Sequence, residues 1–146
     1  MAEPTPEPHE FIVDVPRDAE ADVLEALARF GVWASTIVPG ARGAGTVRVS
    51  RVGGDLTNQQ QRDRPLILIE VWEDNSPAAF DAALRAWAVF RILETEGFLI
   101  PGVAMHDVDL QVPRALDDEL APDLHRVQFT VEMTNPLTEI TLTEEI

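Results

Sequence analysis

The chain has 146 residues, 45% of them hydrophobic, no cysteine, and a formal net charge of −15 set by 26 acidic residues against 11 arginines. That length fits one domain with a sizeable core. The missing cysteine excludes disulfides, thiolate metal ligands and cysteine nucleophiles, and the acidity argues against gripping a nucleic-acid backbone, which needs a basic face.

Met1 to Glu10 (MAEPTPEPHE) alternates proline with acid and offers little to bury. Residues 1–10 are therefore expected to be a flexible acidic segment, with the domain proper at 11–134. Asp18 suits a helix N-cap, and Val23, Leu24, Leu27 and Phe30 recur at helical spacing before Gly31, which predicts a helix over Ala19–Phe30. The glycine-rich loop from Pro39 to Gly45 lacks the Gly-Lys-Ser/Thr ending of a phosphate loop and precedes a strand, so it reads as a flexible connection. Thr46–Val52 and Leu66–Glu73 read as strands, the second apolar on both faces at Leu66-Ile67-Leu68-Ile69 and hence central. Ser76-Pro77 predicts a helix start, with Ser76 as the cap, and the helix runs from Pro77 to about Thr95 before Gly97.

This second helix carries Phe80, Leu84 and Trp87 on one stripe and Val89, Phe90 and Leu93 on another. A helix so apolar must be covered on most sides, by the first helix or by a second subunit. Strands are expected over Met105–Val112 and Arg126–Thr134. His106, Val108, Leu110 and Val112 share one face of the first, and Val127, Phe129, Val131 and Met133 one face of the second. After Pro136, Ile140 and Leu142 alternate weakly with threonine, so 135–146 is a loose tail or an arm that adds a strand to a neighbouring chain. The order α-β-β-α-β-β implies an α+β fold, a two-layer sandwich of an antiparallel or mixed four-stranded sheet with two helices on one face.

Sites of chemistry are scarce. His9, His106 and His125 lie far apart without a second ligand at metal spacing, although His106 and His125 could meet across strands as a surface pair. Ser35, Ser50 and Ser76 lack a nucleophile-elbow context. Asp107 and Asp109, two apart on one strand, resemble a solvated face more than a cation site. No catalytic residue, cofactor or metal is expected, and neither is an enzyme. No signal-peptide or membrane-span pattern is present, so the expectation is an intracellular soluble protein without a membrane partner.

The chain's most distinctive stretch is VRVSRVGGDLTNQQQRDRPLILIEVWED, from Val47 to Asp74. Arg42, Arg48, Arg51, Arg62 and Arg64 face only Asp55 and Asp63 in this part of the sequence. The local balance is +3, against −18 for the rest of the chain. A basic island on an acidic body suits docking on carboxylates of another subunit. Gly53 and Gly54 permit a sharp turn or bulge, and Asn58, Gln59, Gln60 and Gln61 supply adaptable hydrogen bonds. The candidate protein interface is thus Arg48, Arg51, Gly53, Gly54, Asp55, Asn58, Gln59, Gln60, Gln61, Arg62 and Arg64. A hairpin loop with no partner is the plainer alternative.

VRVSRVGG, a polar loop, RDRPLILIEVWED, a helix opening near Ser76 and a closing RVQFTVEMT strand together resemble the tail terminator proteins of long-tailed bacteriophages, in particular those of actinobacterial hosts. The resemblance covers roughly Val47 to Thr134. It implies a virion protein of the tail and neck, assembled in the host cytoplasm as a homo-hexameric ring. Such a ring caps the tail tube, stops addition of the major tail tube protein and offers a joining surface to the head-side connector (stopper), while DNA passes through its channel without specific binding. A head-completion or other neck connector protein is the alternative within the same machinery, and a small cytoplasmic ligand-binding domain is the alternative outside it.

Overall fold

The computed structural model describes residues 7–37, 40 and 43–145. The expected flexible segment at 1–6, much of the glycine-rich loop, and Arg42 lie outside the described residues. Eleven elements follow in order: β1 (Glu10–Val15), α1 (Ala19–Arg29), β2 (Thr46–Leu56), β3 (Arg62–Glu73), α2 (Ser76–Glu96), β4 (Phe98–Ile100), β5 (Val103–Ala104), β6 (His106–Leu110), β7 (Arg114–Ala115), β8 (His125–Pro136) and β9 (Thr138–Thr143).

The helix boundaries follow from local chemistry. Asp18 caps α1, its Oδ1 accepting from the Ala21 N–H at 3.0 Å. The cap of α2 is Asn75 rather than Ser76. Its backbone is extended and its Oδ1 accepts from the Ala78 N–H at 2.9 Å, so Ser76 becomes the first helical residue. Gly97, at φ 82°, closes α2 in the left-handed conformation and donates to the Leu93 carbonyl.

The α+β class holds, with a sheet richer than four simple strands. The main sheet has five strands, all antiparallel, in the order β2-β3-β8-β6, and β7 also pairs with β8. Long β8 takes β3 along one edge. Its other edge is shared by β6, opposite Val131–Thr134, and β7, opposite Val127–Gln128. The expected strand over Met105–Val112 is therefore broken. Asp107 takes φ 51° where the β6–β8 register shifts, and Val112 is exposed beyond the strand's end. His106 sits opposite Thr134 and His125 at the far end of β8, opposite Glu73, so the two histidines are not neighbours.

Both helices lie on one face of this sheet. The core joins Val23, Ala26 and Leu27 of α1 and Ala86, Val89, Phe90 and Leu93 of α2 to Val49, Ile67, Ile69, Phe129, Val131 and Met133 of the sheet. β3 is central, as its double-sided apolar sequence requires. Ile67 and Ile69 are fully buried under the helices, whereas Leu66 and Leu68 are half-buried on the opposite face.

The segments near the two termini do not stay apart. β9 adds a strand to the chain's own β1, in the register Phe11–Leu142, Val13–Ile140, Val15–Thr138. This two-stranded ribbon is a sheet of its own.

Candidate functional site

The β2–β3 hairpin carries the candidate interface. Its turn, 57–61, is closed by the Thr57 N–H donating to the Arg62 carbonyl at 2.9 Å and by Thr57 Oγ1 accepting from the Arg62 N–H. Gln60 adopts φ 55° at the tip, and Asn58, Gln59, Gln60 and Gln61 are all exposed. Gly54, at φ 87°, is forced by contact: a Cβ there would run into the backbone of Arg64, Pro65 and Leu66. Gly53 follows the register shift at Val52 and has ordinary space around it. Asp55 lies opposite Arg64 and turns its carboxylate to the Leu56 N–H.

The arginines clustered in sequence are dispersed by the fold. Arg48 lies opposite Glu70 on the sheet face away from the helices, its Nε 3.4 Å from Oε1. Arg126 approaches the other oxygen of Glu70 at 3.3 Å. Glu70 is buried between two cations, which leaves one positive charge in excess there. Arg48 Nε and Glu70 Oε1 are close enough for an ion pair but out of line for a hydrogen bond, and Ser50 Oγ beside them has no partner either.

Arg51 lies on the helix side, opposite Ile67. Its guanidinium donates to both oxygens of buried Asp63, at 2.6 and 2.8 Å, and to the Gly53 carbonyl. The hydrogen bonds to Asp63 raise the Arg51 pKa above its already high ordinary value. The Arg51 N–H donates to Glu20 Oε2 of α1 at 2.7 Å, which caps the outer edge of β2 where an unpaired donor would otherwise face solvent. Arg64 donates to Glu132 at 2.7 Å, to Thr134 Oγ1 at 2.8 Å and to the Asp107 carbonyl.

Arg62 alone among the four arginines of the hairpin has no carboxylate partner among the described residues. It is exposed and its side chain donates only to the Gln61 carbonyl at 2.9 Å. The hairpin tip, Asn58 to Arg62, is left outside these pairs, while Arg48 and Arg51 are held within the hairpin by Glu70 and Asp63 and Arg64 ties the hairpin to β8 and to Asp107 of β6.

Partners of these arginines, Glu20, Asp63, Glu70 and Glu132, could not be chosen from 26 acidic residues without the strand register. The segment 114–124 folds over one end of the open sheet face. There Trp72 donates its indole N–H to Asp118 at 2.8 Å, and Arg126 reaches the Leu116 and Asp117 carbonyls. A hollow of about 260 Å³ opens between β6 and β7, lined by Gln111, Val112, Arg114, Gln128, Phe129 and Thr130.

Among the described residues no group of three or more His, Asp or Glu side chains could hold a metal ion, and no helix is long and apolar enough to cross a membrane. No protein-family model and no curated protein matches the chain.

Proposed function

We propose that the protein is a structural virion component, a tail terminator. It closes into a ring, by the resemblance a hexamer, caps the tail tube, ends its polymerisation and presents a second face to the head-side connector. On this reading DNA passes through an acidic channel that does not hold it, and the chain's −15 charge serves that passage. The work is recognition between surfaces, without bond-making.

The observation that carries the proposal is that the single chain leaves built apolar surfaces uncovered. On α2, Phe80, Leu84 and Ile92 remain exposed, and the ribbon exposes Phe11, Ile12, Val13, Ile140 and Leu142. Two separate apolar faces of this kind suit a protein completed by neighbours. The resemblance of Val47–Asp74 and Arg126–Thr134 supplies the kind of assembly, and the exposed tip with Arg62 supplies a contact for carboxylates of the tube or of the next subunit.

Particles lacking the protein are the test. Overlong tails that fail to join heads are expected. Tails of ordinary length would remove the terminator reading, and normal tails with leaking heads would favour a head-completion protein. Arg62→Glu in the full chain should keep the fold, because that guanidinium reaches only the Gln61 carbonyl, yet abolish normal tail joining. Normal joining with Arg62→Glu would take the hairpin tip out of the assembly contact.

A further inference from the structure

We propose that the ribbon formed by β1 and β9 of one copy docks its apolar face on the exposed ridge of α2 in the next copy, and that this head-to-tail contact links the subunits.

The ribbon's two sides differ, with Ile12 the one large apolar residue on the otherwise polar side. Its register puts Phe11, Val13 and Val15 beside Leu142, Ile140 and Thr138 on one side, and Glu10, Ile12 and Asp14 beside Thr143, Thr141 and Glu139 on the other. Phe11, Val13, Ile140 and Leu142 are 39% to 55% exposed, so the apolar side is uncovered in the single chain. The ribbon belongs to neither the main sheet nor the β4–β5 hairpin. A free-standing two-stranded ribbon is marginal in water, and one with an uncovered apolar face needs a surface to lie on.

The same chain offers such a surface. Phe80, Leu84, Ala88 and Ile92 follow one another at intervals of four along α2, and the three large side chains are 40% to 43% exposed. Residues spaced by four form an inclined ridge on a helix. From Phe80 to Ile92 the ridge runs about 18 Å at the helical rise. The ribbon's apolar side, from Phe11 to Val15, spans about 14 Å at the strand rise, so it can cover most of the ridge.

Charge agrees as well. The ribbon and its flanks carry Glu7, Glu10, Asp14, Glu139, Glu144 and Glu145 against one arginine, Arg17, which is paired with Asp22, while Arg85 and Arg91 stand exposed beside the ridge. The ion pairs of those two arginines, with Asp81 and Glu94, are exposed and short-range, contribute little and can be exchanged for a neighbour's carboxylates, while Arg91 also lies over the Trp87 ring at 5.8 Å.

Ridge and ribbon are different surfaces, so the contact is heterologous. Repeated, it gives a ring if the rotation closes and a filament if it does not. The inference deepens the ring reading and rests on it for that closure. One contact of this size falls well below the roughly 1,600 Å² of a standard stable interface, so pairs should form weakly until closure or a template adds further surface.

The absence of native cysteine makes a clean test possible. Leu84→Cys and Leu142→Cys full-length chains, mixed and mildly oxidised, should give the mixed 84–142 disulfide in roughly tenfold excess over either homotypic one, because the bond forms only where Cα atoms approach within about 7 Å. Leu120→Cys, more accessible than either position and off both surfaces, serves as the background. Leu84→Asp and Leu142→Asp should each stop self-association. Mixed, they should form one-to-one pairs that grow no further, since each retains one intact half.

A dominant 142–142 bond (ribbon on ribbon), a bond closing within one Leu84→Cys/Leu142→Cys chain, or crosslinking at the Leu120→Cys background would each overturn the proposal. Tail length in particles lacking the protein reports separately. Ordinary tails with an 84–142 bond would keep the contact and remove the terminator, and overlong tails without that bond would do the reverse.

Discussion

Replacing Arg51 by methionine tests whether the basic stretch holds the fold or serves a partner. The Asp63 side chain is 3% exposed and takes both hydrogen bonds from an Arg51 side chain that is 28% exposed. Arg51→Met therefore strands a buried carboxylate with its countercharge gone, a loss that typically costs about 3–5 kcal/mol. Asp63→Asn is the milder change, because the amide oxygen still accepts and the partly exposed guanidinium can turn to water. Its expected cost is about 1–3 kcal/mol. The doubly apolar variant Arg51→Met/Asp63→Leu should cost less than the two single losses together, since replacing both ions removes the stranded charge.

Urea unfolding at unchanged slope reads these differences directly, against a total stability of about 5–15 kcal/mol. Arg62→Glu, with no carboxylate to lose, should stay within about 0.5 kcal/mol of the parent in the same assay. If Arg51→Met costs under about 1 kcal/mol, or costs less than Asp63→Asn, the division between a structural Arg51 and an available Arg62 is refuted.

Two further outcomes concern the hairpin and the helix ends. Gly54→Ala should cost more than about 3 kcal/mol and Gly53→Ala less than about 1, because only the first combines a positive φ with a collision against backbone; equal melting temperatures for the pair would contradict the geometry. The Arg29 guanidinium, hydrogen-bonded to Glu96 at 2.9 and 3.2 Å, holds the Glu96 pKa below its ordinary value and joins the last turns of α1 and α2. Its contribution is present above the ordinary carboxylate range and is lost as pH falls through the lowered value. Thermal melts of the parent and of Glu96→Gln should then differ near neutrality and converge in acid; a gap that persists in acid would show that the pair is not its source.

How far the sequence could be read depended on how local the signal was. Asp18, Pro77 and Gly97 act within one helical turn, and both helices fall where those residues place them. Val127, Phe129, Val131 and Met133 alternate without interruption, and they line the buried face of β8. His106 to Val112 alternates just as well on paper. There the left-handed Asp107 slips the register and the chain leaves the sheet after Leu110, which no residue before it announces. β1 carries a period of two in Phe11, Val13 and Val15. Ile12 blurs that period, and the strand gains its meaning only from β9, more than 120 residues away, which local pattern does not reach.

The arginines illustrate the harder limit. Nearness along a strand is not nearness in space, because successive side chains alternate faces. Arg48 and Arg51, three apart, are opposed by parity alone, one over Glu70 on the open face and the other over Asp63 beneath the helices. A count of charges between positions 42 and 64 sums cations that the sheet sends in different directions, Arg48, Arg51 and Arg64 each toward a carboxylate of its own chain. Once those pairs are formed, the attractive charge left for a partner lies at the turn, where no pleat constrains it. On the proposed assembly, the apolar ridge and ribbon left uncovered elsewhere are the larger source of association energy. Charge at the Arg62 tip would set the choice and approach of a partner, and burial of Phe80, Leu84, Ile140 and Leu142 would hold it there.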